Sequence, residues 1–97
     1  MIIVSQDKGK IINFDNMTRV YITFDEGDDD VCIRTETVDS LYEDLGYYKT
    51  EERAKEVLQE ISLRYEAIEL CKRDHSMSDI LGYTFADYTP IYEMPED

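Results

Sequence analysis

The sequence is poor in the residues that mark several common kinds of protein. Its two cysteines, Cys32 and Cys71, lie far apart and outside any C-x-x-C spacing, so neither a disulfide scaffold nor a zinc ribbon is expected. No apolar run reaches the length of a membrane span, and the start, Met1 to Val4, lacks the basic region and cleavage site of a secretory signal. These absences predict a cytoplasmic protein whose cysteines act as small buried hydrophobic residues.

Basic residues are also scarce, because 10 Lys and Arg stand against 23 Asp and Glu, which gives a net charge of −13. A chain with this charge repels nucleic-acid phosphates and anionic lipids. Direct binding to DNA, RNA or membranes is therefore disfavoured. The 97 residues, 42% of them hydrophobic, suffice for one buried core and not for two. Residues 1–97 are predicted to form a single domain.

The common catalytic and metal-binding signatures are missing. The sequence has no glycine-rich phosphate loop, no G-x-S-x-G elbow and no H-E-x-x-H. The single histidine, His75, follows Cys71 at i,i+4 spacing with Asp74 and Asp79 nearby, but two good ligands fall short of the four that a structural metal site needs. The acidic run Asp25–Asp30 lacks EF-hand spacing. We therefore predict a non-enzymatic protein without a metal or cofactor.

Short clusters of β-branched and aromatic residues predict a β-meander in the first half of the chain. Residues in Arg19–Phe24 alternate between apolar and polar, as in a half-buried strand, and the Asp25–Asp30 run that follows predicts a hairpin loop. The predicted strands are Ile2–Val4, Ile11–Ile12, Arg19–Phe24, Val31–Val38, Leu45–Tyr48 and, at the end of the chain, Thr89–Met94.

A long amphipathic helix is predicted from about Glu51 to Arg73, with Thr50 as its N-cap. Its apolar stripe consists of Ala54, Val57, Leu58, Ile61, Tyr65, Ile68 and Cys71, and the expected i,i+4 ion pairs are Glu51/Lys55, Glu60/Arg64 and Glu69/Arg73. A helix of about 23 residues is roughly 35 Å long at about 1.5 Å per residue, which exceeds the width of a small sheet. Its C-terminal half is therefore expected to project and pack against a second copy.

These elements together predict an α+β fold in which an antiparallel β-meander packs on one long α-helix, with a short C-terminal strand. The projecting helix predicts a homo-oligomer.

Tyrosines and arginines supply the candidate binding residues. Eight of the 97 residues are tyrosine, and tyrosine offers a flat surface with a polar tip that suits binding sites, although several of the eight could equally line the edge of the core. The few guanidinium groups are the natural partners of an anionic ligand, although ion pairs with neighbouring acids are their commoner fate. The predicted ligand-binding residues are Arg34, Tyr48, Arg53, Arg64 and Tyr65.

Four segments, residues 2–8, 12–16, 48–58 and 91–95, resemble a group of small proteins encoded by phages and mobile elements of Firmicutes. The order of meander, long helix and final strand also resembles the phage proteins that counter Thoeris immunity by sequestering cyclic ADP-ribose isomers. This second resemblance implies a binding site with aromatic faces for adenine and guanidinium groups for phosphates, built in an oligomer.

Two functions follow as hypotheses. The resemblance implies a non-enzymatic phage anti-defence protein, active in the host cytoplasm, that sequesters a nucleotide-derived immune signal of the cyclic ADP-ribose type. The charge favours an alternative, an acidic nucleic-acid mimic that inhibits a host defence protein such as a CRISPR effector. Its expected contact surface comprises the Asp25–Asp30 loop and the helix residues Glu52, Glu56, Glu60 and Glu66. A third interpretation is that the acidity serves solubility alone.

Overall fold

The computed structural model of the chain describes residues 1–25, 27, 29–73 and 91–97, with residues 71–73 described as backbone only. The elements are β1 (Ile2–Val4), β2 (Ile11–Asn13), a 3-10 turn (Phe14–Asn16), β3 (Arg19–Phe24), β4 (Val31–Glu36), β5 (Tyr42–Tyr48), α1 (Glu51–Arg73) and β6 (Ile91–Glu93). They confirm the predicted α+β class, the long helix and the short C-terminal strand. The features predicted around His75 lie outside the described residues. No helix in the described ranges is both long and apolar enough to cross a membrane.

The strands divide between two three-stranded sheets. The predicted meander is confirmed in β3-β4-β5, where Ile22 lies opposite Ile33 in fully antiparallel pairing. The other sheet has the order β2-β1-β6, and β1 runs antiparallel to β2 but parallel to β6. The parallel pair is possible because the chain passes through α1 before it returns to β1, and parallel strands need a crossover of this kind.

The core is one buried cluster that contains residues of α1 and of both sheets. Val31 and Ile33 alternate along the central strand β4 and belong to the same buried cluster as Ala54, Val57 and Ile61 on the helix. Complete burial of each Val or Ile side chain among them contributes about 1.5–3 kcal/mol. The helix stripe that the sequence predicts is thus the face that holds the two layers together.

Burial varies along the C-terminal half of the helix stripe. Ile68 is fully buried within the single chain, so this turn of α1 is covered without a second copy. Tyr65, predicted on the same stripe, is 37% exposed because its ring lies at the edge of the stripe beside Phe14. Cys71 has no described side chain.

The start of α1 is capped as predicted, since the Arg53 N–H donates to the Thr50 hydroxyl at 3.1 Å. The predicted Glu51/Lys55 ion pair forms at 3.4 Å. The predicted Glu60/Arg64 pair is wrong, because each side chain finds a partner on β6 instead. The Tyr92 hydroxyl donates to Glu60 at 2.7 Å, and Arg64 donates to the main-chain oxygen of Ile91 at 3.2 Å.

Candidate functional site

The five side chains that the sequence predicts as ligand-binding residues lie in four places. Tyr48 and Arg53 line one cavity. Arg34 lies on the face of the meander sheet that points away from α1, Arg64 lies beside β6, and Tyr65 lines a separate groove. The structure therefore brings together only Tyr48 and Arg53.

The cavity that contains Tyr48 and Arg53 has a volume of about 490 Å³, within the range of about 300–1,000 Å³ that is typical of small-molecule sites. Its lining comes from the β3–β4 loop, the end of β5, the start of α1 and the C-terminal segment: Asp30, Tyr47, Tyr48, Lys49, Arg53, Glu96 and Asp97. Two cations and three carboxylates thus share one space. We call this space the end cavity.

The C-terminal segment forms one wall of the end cavity, and its main-chain oxygens are held one by one. The Tyr48 hydroxyl donates to the oxygen of Pro95, the Gln6 side-chain amide donates to that of Glu96, and the Arg53 Nε donates to that of Asp97, each at 2.8 Å. Three hydrogen bonds of this length to consecutive residues fix the wall in position.

The two predicted residues in the end cavity both have partners already. Burial raises the pKa of Tyr48 to about 12, so its phenol is a neutral donor at physiological pH. The Arg53 guanidinium donates to Glu56 at 3.0 Å and lies 4.0 Å from Glu60. Lys49 is the cation of the end cavity that has no ion pair among the described side chains.

Arg34 is the centre of a polar cluster on the meander sheet. Its Nε donates to Asp44 at 2.6 Å, its Nη2 donates to Asp25 at 3.1 Å, and the guanidinium lies 4.5 Å from the centre of the Tyr42 ring. Hydrogen bonding to Arg34 lowers the pKa of Asp44, and the bond that Tyr47 donates to Asp44 at 2.8 Å raises the pKa of Tyr47. The cluster is a charge-assisted network that is already satisfied internally.

The same cluster contains three potential metal ligands, since ligand atoms of Asp25, Cys32 and Asp44 lie within 4.8 Å of one another. Arg34 binds both carboxylates, so a guanidinium already occupies the cation position between them. Burial raises the pKa of Cys32 to about 11, which keeps the thiol protonated at neutral pH. Cys32 is fully buried, as the sequence predicts.

Arg64 and Tyr65 are neighbours in sequence but face different surfaces. The Arg64 guanidinium lies 5.8 Å from the centre of the Tyr92 ring. The Tyr65 ring meets Phe14 edge to face, with centroids 5.7 Å apart. A groove of about 300 Å³ runs beside Tyr65, lined by Phe14, Val20, Leu58, Ile61, Ser62 and Tyr65. Its lining is apolar apart from two hydroxyls and offers no charge to an anionic ligand.

Sequence reasoning missed most of the end cavity. Selection by residue type identified arginines and tyrosines, whereas the lining also includes Asp30, Lys49, Glu96 and Asp97. A local signal existed for Lys49, because it directly precedes the predicted N-cap Thr50 and so lies at the helix start. No local pattern indicates that Asp30 and Glu96, 66 positions apart in the chain, line the same cavity.

Comparisons with protein-family models, with curated proteins and with solved structures found no match to this chain.

Proposed function

We propose that the protein is a non-enzymatic inhibitor that binds the basic, nucleic-acid-binding surface of a host defence protein such as a CRISPR effector. The supporting observation is that most of the few Lys and Arg side chains form ion pairs with carboxylates of the same chain. In the described part of the chain, the Lys and Arg side chains paired with a carboxylate are Lys8, Lys10, Arg19, Arg34, Arg53 and Lys55. Among the described side chains, Lys49 and Arg64 alone lack a carboxylate partner.

The acidic side chains that are left without a cationic partner are consequently exposed to solvent. Several exposed carboxylates have no ion pair among the described side chains, and they come from separate elements: Asp29, Asp39, Glu52, Glu66, Glu96 and Asp97. Exposed carboxylates repel nucleic acid and attract basic protein surfaces, where they can replace phosphate charges and speed association. An acidic surface of this kind supports competition with nucleic acid for a basic site.

The contact surface that we propose is narrower than the one that the sequence predicts. Glu56 and Glu60 both neutralise Arg53, and Glu60 also accepts the Tyr92 hydroxyl. Asp25 binds Arg34. Among the described side chains of this loop and helix, the predicted contact residues without an ion pair are Asp29, Asp30, Glu52 and Glu66.

Displacement of labelled DNA from purified CRISPR effectors, followed by fluorescence anisotropy, tests this proposal. We expect the protein to displace the DNA stoichiometrically, and we expect its affinity to fall steeply between about 50 and 200 mM salt, because the contact is between charges. Glu66→Gln should weaken displacement. Asp39→Asn is the matched control, since it also removes one exposed carboxylate but from the β4–β5 turn.

The proposal is contradicted if no effector releases its DNA or if displacement does not depend on salt. Equal weakening by Glu66→Gln and Asp39→Asn would show that net charge alone matters, and would argue against a defined contact surface.

A second candidate is sequestration of a nucleotide-derived signal of the cyclic ADP-ribose type, as the resemblance to the Thoeris antagonists implies. The observation that favours it is the end cavity, which brings Tyr48 and Arg53 together with Lys49 in about 490 Å³. We place it second because Arg53 already forms an ion pair with Glu56, and because Asp30, Glu96 and Asp97 would repel a phosphate.

Native mass spectrometry of the protein mixed with cyclic nucleotides and ADP-ribose isomers separates the two candidates. Sequestration predicts a discrete bound mass that Arg53→Ala abolishes and Arg19→Ala retains, since Arg19 lies on β3, outside the end cavity. The same spectra give the number of subunits, and so test the homo-oligomer that we propose to form through α1. Both candidates place the protein in the host-cell cytoplasm.

A further inference from the structure

We infer that the end cavity receives an arginine side chain from the protein's basic partner. This inference rests on the proposed function and identifies one anchoring contact within it. The charge of the cavity, its aromatic lining and the way this chain binds its own arginine support it.

The charge of the end cavity favours a cation. The lining carboxylates Asp30, Glu96 and Asp97 have no ion pair among the described side chains. The positive charge of Arg53 is offset by Glu56 at 3.0 Å, which leaves Lys49 as the opposing cation. A guanidinium that enters the cavity therefore meets more negative than positive charge, and the net charge of −13 adds to the attraction.

The aromatic lining favours a guanidinium over an ammonium. Tyr47 and Tyr48 contribute to the wall, and their hydroxyls are committed to Asp44 and Pro95. Tyr48 is only 2% exposed, so the half-buried Tyr47 is the aromatic side chain that remains for contact with a ligand. Guanidinium groups stack on aromatic faces and bind carboxylates through two parallel donors, whereas an ammonium is a more strongly hydrated point charge.

The chain already binds one of its own arginines with the same chemical groups. Arg34 is held by two carboxylates, Asp25 and Asp44, and lies over the ring of Tyr42 at 4.5 Å. The end cavity offers three carboxylates and the half-buried Tyr47. Its own arginine, Arg53, binds Glu56 and the main-chain oxygen of Asp97 and leaves these carboxylates without a guanidinium partner. Its volume is also sufficient for one long side chain. The Arg34 cluster thus provides an internal precedent for the proposed contact.

A titration of the full chain with blocked arginine, N-acetyl-arginine methylamide, followed by amide NMR shifts, tests the inference. We expect saturable shifts at residues 47–53 and 96–97. N-acetyl-citrulline methylamide has nearly the same shape without the charge and should bind at least about tenfold more weakly. The double variant Asp30→Asn/Glu96→Gln should lose about tenfold in affinity for blocked arginine, and Asp39→Asn should lose none.

Equal shifts with arginine and citrulline, or no saturable shift at these residues, would overturn the inference. The DNA-displacement assay separates its failure from that of the proposed function. If the protein displaces DNA and Asp30→Asn/Glu96→Gln does so equally well, the arginine site is wrong and the inhibitor proposal stands. If the cavity binds arginine but the protein displaces no DNA, the cation site is supported and the inhibitor proposal fails.

Discussion

The side chain of Gln6 pairs with the main chain of Tyr47 as a neighbouring strand would. The Tyr47 N–H donates to the Gln6 Oε1 at 2.7 Å, and the Gln6 Nε2 donates back to the Tyr47 carbonyl at 2.8 Å. The Gln6 N–H also donates to the carbonyl of Leu45 at 2.8 Å. Because β5 is an edge strand of the meander sheet, these bonds satisfy its outer edge and join it to the segment that follows β1.

Gln6→Ala should therefore destabilise the protein beyond the loss of an ordinary surface side chain. It leaves the N–H and carbonyl of Tyr47 without this partner, and we expect a loss of about 1–3 kcal/mol in the free energy of unfolding. Urea denaturation measures the change. Gln59→Ala is the matched control, because Gln59 is exposed on α1 and should change stability by less than about 0.5 kcal/mol. Equal losses in the two variants would contradict the role of Gln6.

Gly46→Ala should be destabilising because the chain passes too close for a side chain. A Cβ at position 46 would lie 3.0 Å from the Gln6 Cβ and 3.1 Å from the Tyr48 hydroxyl oxygen. We expect a cost of about 1–3 kcal/mol, as for other overpacked sites, measured by thermal unfolding. Gly9→Ala is the comparison, since Gly9 is exposed whereas Gly46 is buried, and its nearest atom would be the Asp7 Oδ1 at 3.2 Å, an oxygen that also accepts from Ser5 and from the Gly9 N–H. A Gly46→Ala protein as stable as Gly9→Ala would refute the steric argument.

The helix and the meander could be predicted because their signals are local. The stripe through Val57 and Ile61 repeats at helical spacing, and the alternation in β3 repeats every two residues. The division into two sheets could not be predicted in this way. It depends on the parallel pairing of Ile3 with Tyr92, and a pairing across most of the chain leaves no periodic trace in either segment.

The same difference between local and long-range signals applies to the candidate site. Residue type predicts Tyr48 and Arg53 as binding residues, and their five-residue spacing across the start of α1 allows them to share a cavity. The same criterion predicts Arg34, yet its guanidinium is held by Asp44 across the β4–β5 pair. Residue type identifies the chemical groups that are available, whereas long-range contacts determine which of them are already engaged.

The Arg34–Asp44 ion pair should make stability depend on acid pH. Arg34 lowers the pKa of Asp44 in the folded state below the value of about 3.9 that is typical of an unfolded chain. This contribution is therefore present above about pH 4 and is lost as the pH falls through the lowered folded pKa. Asp44→Asn should lower the melting temperature at neutral pH, and its deficit relative to the unmodified protein should shrink below about pH 4. Asp39→Asn changes an exposed turn, so its melting temperature should follow that of the unmodified protein at every pH. A melting-temperature deficit for Asp44→Asn that stays constant with pH would contradict this account.

The buried phenol of Tyr48 should produce the opposite dependence at alkaline pH. Burial raises its pKa to about 12 in the folded protein, against about 10 in an unfolded chain. Below pH about 10 both states hold the proton, so this contribution is fully present there. It is lost as the pH rises from about 10 through about 12, because unfolding then releases a proton.

Tyr48→Phe removes both this titration and the hydrogen bond to Pro95, so we expect it to lose about 1 kcal/mol at neutral pH. Its stability should then fall less steeply than that of the unmodified protein above about pH 10. Urea denaturation at a series of pH values measures both effects. Tyr42→Phe is the control, since Tyr42 is 58% exposed. Parallel curves for Tyr48→Phe and the unmodified protein at alkaline pH would show that the Tyr48 phenol ionises equally readily in both states.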